Sequence, residues 1–350
     1  MTVFPDKNLS GLVCTEPFRT VNIDPVGNVQ LCGCSDWMPQ IAGNINNASL
    51  QDILNSPKAQ LMRESIRDGS YRYCNADKCG VINNKWLIPH TDAPGHNLDP
   101  EWRLYRKESS KKIPTKYFIA GDKTCNLSCP SCRNTVIKNT IGDTGNNIRV
   151  MNLLNQNVFA GKSHLPIEIM LSTSGEIFAS KFLLEFLQTF PINNYPNVIF
   201  HLQTNGLLLK KNWHLLANIH KNIKSITVTT DGCTADTYEH LRRGGRFTDI
   251  LDNLKYMQQL KQQHNFVTHN RMVVQLANYQ QITDFYHWSK QLGFDTVEYS
   301  RLQDWKTYTG PEFAELDVLN PEHQAYNAAT DSIKELLSEG SSVVLLGFSI

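Results

Sequence analysis

From residue 116 onward, short apolar runs suited to β-strands alternate with amphipathic stretches at helical spacing. The runs are KYFIAGD, IEIMLSTSGE, VIFHLQTNG, SITVTTDG, RMVVQLAN and TVEYSRLQDW, and ASKFLLEFLQTF, LDNLKYMQQLKQ and ITDFYHWSKQLG lie between them. Parallel neighbours in a sheet need a long crossover, usually a helix, so six such units predict a parallel α/β sheet, open or curled toward a barrel. Loops at the C-terminal ends of parallel strands carry the chemistry in such folds.

The first run is followed at once by GDKTCNLSCPSCRN, residues 121 to 134, with Cys125, Cys129 and Cys132 inside eight positions. A disulfide pairs two sulfurs, and a structural zinc site takes four ligands. Three thiolates, which are soft ligands, can hold three corners of an iron–sulfur cube and leave the fourth iron open. The alternative is a zinc knuckle that borrows its fourth ligand elsewhere. Either reading needs reduced cysteines. The chain reads as a cytoplasmic protein: it has no apolar run long enough to span a bilayer, and MTVFPDKNLSG lacks the apolar core of a secretory signal. With 34 basic and 33 acidic residues it carries no basic field for nucleic acid.

Before residue 90 the texture is different. RTVNIDPVGNVQLC reads as a hairpin turning at Pro25 to Asn28. NSPKAQLMRESIRDG reads as a helix with Ser56 as N-cap, Pro57 in the first turn, Gly69 just past the end, and Leu61, Met62 and Ile66 as its buried stripe. PHTDAPGHNLDPEW, from Pro89 to Trp102, reads as a linker. The expected organisation is a small α+β domain over 1–88, a linker over 89–113, a parallel α/β body over 114–310, and a C-terminal extension over 311–350 that ends in the strand SSVVLLGFSI. The first part carries Cys14, Cys32, Cys34, Cys74 and Cys79, and Cys233 stands alone further on.

The spacing C-x-x-x-C-x-x-C after the first strand of a (β/α) series resembles the radical S-adenosylmethionine enzymes, over about Tyr117 to Trp305. STSGE is similar to that family's Gly-Gly-Glu motif, with Gly175 and Glu176 matching and Ser174 departing. TTDGCTADTYEHLRRGGRF is similar to its strand, Asp-Gly turn and Arg-Gly-Gly helix end. The resemblance implies a partial (β/α)6 barrel. It implies that Cys125, Cys129 and Cys132 hold an open [4Fe-4S] cluster that binds S-adenosyl-L-methionine, and that Gly175 and Glu176 meet the methionine ammonium. Gln203 and Thr204, after the third strand, are candidate cofactor-binding residues, Thr229 or Thr230 resembles the ribose contact, and Arg242 or Arg243 the partner of the methionine carboxylate. Ser131 departs from the apolar or aromatic residue that many members place there.

The spacing of Cys14, Gly27 and Cys32, followed by a Gly-Asn turn, a short helix pair and closing cysteines, resembles the SPASM and twitch auxiliary cluster domains. That resemblance implies an auxiliary [4Fe-4S] cluster on Cys14, Cys32, Cys74 and Cys79, with Cys34 as an alternative to Cys32. A structural zinc on the same cysteines is the competing reading.

Together these imply an enzyme that reductively cleaves S-adenosylmethionine to a 5′-deoxyadenosyl radical and abstracts a substrate hydrogen, with a flavodoxin- or ferredoxin-type reductant. A peptide or protein is the expected substrate. A small sugar or alcohol in a radical dehydrogenation is the second reading, and a non-catalytic cluster scaffold or electron carrier the third. Cys233 reads either as a small buried hydrophobe or as a hydrogen donor in an epimerisation. Phe285, Tyr286 and Trp288 read as packing residues, Gly244-Gly245 as a helix end, and Trp305 as a core plug or a substrate contact.

Overall fold

A computed structural model describes residues 9, 11–83, 85–89, 114–120, 122–138, 166–171, 175–348 and 350. The expected linker, apart from Pro89, and Ser174 lie outside the described residues. The chain divides into two compact units, one of residues 1–121, 141–170 and 349, the other of 122–140, 171–348 and 350. Among the described residues no helix is long and apolar enough to cross a membrane.

The first unit opens with β1 (Leu12–Val13) and the expected hairpin, β2 (Thr20–Ile23) and β3 (Asn28–Gln30), with Ile23 opposite Val29. Asp24 closes the turn: its carboxylate accepts from the backbone N–H of Val26 and Asn28 at 3.0 and 2.8 Å. β4 (Gly43–Asn44) extends this antiparallel pair, and β5 (Ile88–Pro89) pairs with β1. On its other side β2 runs parallel to β6 (Lys116–Ile119), which neighbours β7 (Ile167–Leu171). Val21, Ile23 and Val29 are fully buried.

The expected helix forms over Pro57–Arg67, with the Ser56 hydroxyl accepting from Ala59 N–H and Gly69 in the left-handed region at φ 72°. Its buried stripe differs from expectation. Ala59, Met62, Ser65 and Ile66 face the core while Leu61 is exposed, because at about 100° per residue Leu61 stands about 140–160° around the helix from Ile66 and Ala59.

The second unit carries the βα repeats. β8 (Val198–Thr204), β9 (Ile223–Thr229), β10 (Val267–Val274), β11 (Thr296–Arg301) and β12 (Val343–Leu346) are all parallel, each neighbour joined through helical segments. One face is apolar and covered. Met272, Val274, Val297 and Tyr299 pack with Phe285 of the Ile282–Gln291 helix and with Ile333 and Leu336 of the Tyr326–Ser338 helix. The other face is polar and half-buried, with His201 and Gln203 on β8 alternating with buried Phe200 and Leu202. Gln203 and Thr229, at the C-terminal ends of their strands, both line the pocket described next.

Candidate active site and cluster sites

Within the second unit, one pocket is lined by Cys125, Leu127, Cys129, Cys132, Arg133, Gly175, Glu176, Gln203, Thr204, Asn205, Thr229 and Arg242. The cysteine loop is held at both ends. Cys125 N–H donates to Ile137 O at 2.9 Å, and the N–H groups of Cys132 and Arg133 both donate to Cys129 O at 2.9 Å. Cys125 and Cys129 are buried and Cys132 is exposed. Burial pushes the Cys125 thiol up to about 11 and raises that of Cys129, although Arg242 works against the rise at Cys129. Three sulfur donors suit a metal cluster, and loading one on the raised thiols of Cys125 and Cys129 would release their protons.

Gly175 is required by close approach. A Cβ there would lie 2.3 Å from Asp122 O and 2.8 Å from Thr124 O. The tight crossing is fixed by Glu176 N–H donating to Thr124 O at 2.7 Å, and by Asp122, which accepts from Thr124 N–H and from Ser180 Oγ. Glu176 is thereby planted, buried, with Oε1 accepting from Thr204 Oγ1 at 2.6 Å and Phe178 N–H at 3.1 Å, and Oε2 accepting from Asn205 N–H at 2.6 Å. Burial raises its carboxyl above the ordinary range, and these donors pull it back. Three donors leave lone-pair capacity on the carboxylate for one further cationic partner.

Of the two arginines, Arg242 belongs to the pocket and Arg243 does not line it. Arg242 sits 2.9 Å from Asp231 through Nε, near but not aligned as a hydrogen bond, and donates from Nη1 to Cys129 Sγ at 3.6 Å. Arg243 is turned to Ser128 Oγ and Asn134 O, 3.2 Å from each, and is exposed. Between the threonines, Thr229 lines the pocket, whereas Thr230 is fully buried and donates to Asn270 Oδ1 at 2.9 Å. Asn205 and Arg133 also line the pocket. Neither was expected from the sequence, although Asn205 stands inside the QTNG signal.

Cys233 does not line this pocket. It packs, half-buried, against the apolar cluster of Met272, Phe285 and Tyr299, with Sγ 3.6 Å from Gln281 Oε1. Phe285 is fully buried, with Tyr286 and Trp288 packed against the same cluster, as expected. Trp305 is 54% exposed, so it is no core plug, and it is not among the pocket-lining residues. Gly244, at φ 100°, follows the end of the Ala235–Leu241 helix.

In the first unit Cys32, Cys74 and Cys79 are buried and Cys14 and Cys34 half-buried. Burial, followed by Glu16, raises the thiols of both Cys14 and Cys32. Cys74 and Cys79 add to the rise at Cys14, and Cys14 and Cys79 to that at Cys32, so these four sulfurs share one neighbourhood. Cys34 meets Cys32 through its backbone, which works to lower the Cys32 thiol. Burial pushes Cys74 up to about 12. Among the described residues, no three His, Cys, Asp or Glu side chains lie close enough to hold a single metal ion. A four-iron cluster contains its own sulfides and spans more than one ion, so its ligands stand further apart.

Residues 14–80 match the family model of SPASM, an iron–sulfur cluster-binding domain, a span that begins at Cys14 and ends one residue past Cys79. This chain carries a SPASM domain. The matched span precedes the parallel α/β strands and contains Cys14, Cys32, Cys34, Cys74 and Cys79. No curated protein matches the chain. Among solved structures, Streptococcus suis SuiB bound to precursor peptide SuiA is similar at 12% identity, over 96% of this chain and 73% of that one, with a TM-score of 0.47. Native anSMEcpe with bound AdoMet is similar at 16% identity, over 66% of this chain and 63% of that one, with a TM-score of 0.45. Methylornithine synthase PylB is similar at 11% identity, over 67% of this chain and 72% of that one, with a TM-score of 0.41.

Proposed function

We propose that this chain is a radical S-adenosylmethionine enzyme with two iron–sulfur clusters. The observation that carries the reading is the convergence of Cys125, Cys129, Cys132, Gly175, Glu176, Thr229 and Arg242 on one pocket from separate segments of the chain. A zinc knuckle or an electron carrier has no use for a buried carboxylate and a buried guanidinium beside three cysteines. Bound together, the cluster and S-adenosylmethionine would supply a 5′-deoxyadenosyl radical that takes hydrogen from a substrate.

The chain's own residues have distinct tasks. Cys125, Cys129 and Cys132 would hold the cluster. Glu176, kept in place by Thr204, Asn205 and Phe178, would accept from the methionine ammonium. Arg242 would face the methionine carboxylate, and Thr229 would reach the ribose. Cys14, Cys32, Cys74 and Cys79 would ligate the auxiliary cluster. Leu127 packs with Cys125, Cys129 and Leu207 and adds an apolar wall to the pocket.

A peptide or protein is the substrate we propose, on the analogy that SPASM modules accompany enzymes acting on peptides. Hydrogen return by Cys233, which epimerisation would use, is not included, because Cys233 is absent from the pocket lining and packs half-buried against the core. The test is anaerobic incubation of the iron-loaded chain with S-adenosylmethionine and a low-potential reductant. Wild type should form 5′-deoxyadenosine, and the Glu176→Ala variant should form it far more slowly with its iron retained. Iron-replete wild type that forms none would refute the reading.

A further inference from the structure

The three sulfurs of the pocket face different donors. Cys125 Sγ accepts from neutral groups, Leu127 N–H at 3.5 Å and Asn205 Nδ2 at 3.9 Å. Cys129 Sγ receives one guanidinium N–H, from Arg242 at 3.6 Å, and Arg242 shares its charge with Asp231. Cys132 Sγ receives two, from Arg133 Nε at 3.4 Å and Nη2 at 3.3 Å. The remaining nitrogen of Arg133, Nη1, donates to Lys123 O at 2.7 Å, and its backbone N–H donates to Cys129 O at 2.9 Å. Arg133 is thus pinned at both its backbone and its tip. It points at the one sulfur of the three that is exposed.

We propose that Arg133 tunes and retains the cluster. Held by the Lys123 carbonyl, its guanidinium gives Cys132 two charge-assisted N–H···S bonds that favour the reduced state of a cluster ligated there. The inference rests on the iron–sulfur reading of the triplet. An electron entering the cluster adds negative charge to the iron and its thiolates. A fixed cation with donors aimed at that charge stabilises the reduced form more than the oxidised one, so the midpoint potential rises. The reduction is a one-electron transfer from a flavodoxin- or ferredoxin-class donor, and no bond at Arg133 is made or broken. The same two bonds shield the solvent-facing Cys132 thiolate from exchange.

The experiment is a potentiometric titration followed by electron paramagnetic resonance on the anaerobically reconstituted full chain, without S-adenosylmethionine, for wild type, Arg133→Gln and Arg133→Lys. The auxiliary cluster provides an internal reference. The midpoint of the triplet's cluster should move to more negative potential in Arg133→Gln and by less in Arg133→Lys, which keeps the charge on a single donor group, while the reference stays put. Iron extraction by a chelator should be roughly tenfold faster from the triplet of Arg133→Gln. If Arg133→Gln holds no iron at the triplet, Arg133→Lys decides: a negative shift supports the proposal and a wild-type midpoint overturns it. Unmoved midpoints in both variants, or a shift shared with the reference, also overturn it. Wild type with no iron at the triplet removes the underlying reading as well, a result distinct from iron present with an unmoved potential.

Discussion

Asp231 and Arg242 form a buried ion pair, Arg242 Nε lying 2.9 Å from Asp231 Oδ2 with side chains 11% and 2% exposed. Asp231 occupies the left-handed region at φ 60°, just past the end of β9, and its other oxygen accepts from Val273 N–H at 2.7 Å. Its carbonyl accepts from Asn278 Nδ2 at 2.8 Å. The turn therefore presents a fixed carboxylate, and that carboxylate draws Arg242 into the pocket while Arg243 faces outward.

Asp231→Asn keeps the volume and the tolerance for a left-handed backbone but leaves the Arg242 cation buried without its counter-charge. Breaking a buried pair this way costs about 3–5 kcal/mol. Chemical denaturation of the metal-free chain should show that loss. A change below about 1 kcal/mol would mean Arg242 finds water or another partner.

Arg242→Ala and Arg243→Ala separate the two arginines. Losing a charge-assisted partner costs about 1.5–3 kcal/mol, which is roughly ten- to a hundredfold in affinity. Arg242→Ala should weaken S-adenosylmethionine binding by that factor, and Arg243→Ala should leave it near wild type. Equilibrium binding to the reconstituted proteins measures both, and the reverse order would reassign the clamp.

How far the sequence anticipates this site depends on the kind of contact involved. The helix over Pro57–Arg67 is legible because Ser56 and Pro57 act locally, and the strands are legible from their apolar runs. The triplet and Gly175-Glu176 are legible because each is a compact motif whose spacing is the chemistry. The choice of Arg242 over Arg243 is not, because it is made by Asp231, eleven residues away in sequence. Arg133 is invisible for the same reason: its direction comes from the Lys123 carbonyl. Leu61 was expected on the buried stripe from its spacing with Met62 and Ile66, and Trp305 as a core plug or a substrate contact from its place after the sixth strand. Both are exposed, because local spacing does not fix where the neighbouring elements pack.

Gly175→Ala puts a methyl where the Asp122 carbonyl already stands. Overpacking of this kind costs about 1–3 kcal/mol. Because Glu176 is the next residue, the displacement should also weaken S-adenosylmethionine binding, and calorimetry alongside thermal denaturation would show the two losses together. Loss of stability with unchanged affinity would mean that Glu176 is positioned independently of Gly175.

Cys233→Ala should change little. The thiol is a small packing group beside Phe285 and Tyr299, so 5′-deoxyadenosine formation should persist and solvent deuterium incorporation into product should match wild type. Mass spectrometry of the product in deuterated water checks this, and a label lost only in the variant would restore Cys233 as a hydrogen donor.

Asp295 ties the start of β10 to the Phe247–Gln263 helix, accepting from Thr268 N–H at 2.7 Å and from Lys261 Nζ at 2.7 Å. Burial works to raise its carboxyl, but the bonds from Lys261 and Thr268 outweigh it and hold it below the ordinary range. A lowered folded-state value means its stabilisation is present above the unfolded value of about 3.9 and is lost as pH falls through the folded one. Denaturant unfolding of the metal-free chain between about pH 5 and 3 should therefore lose stability less steeply in Asp295→Asn than in wild type. Parallel profiles would show that the pair is fully screened.

Iron and sulfide analysis of anaerobically reconstituted protein tests the central claim most directly. Two four-iron clusters predict about eight iron atoms and about eight sulfides per chain, falling to about four of each when Cys125, Cys129 and Cys132 are replaced together. Zinc bound in place of iron under those conditions, or an iron content unaffected by losing the triplet, would contradict the account.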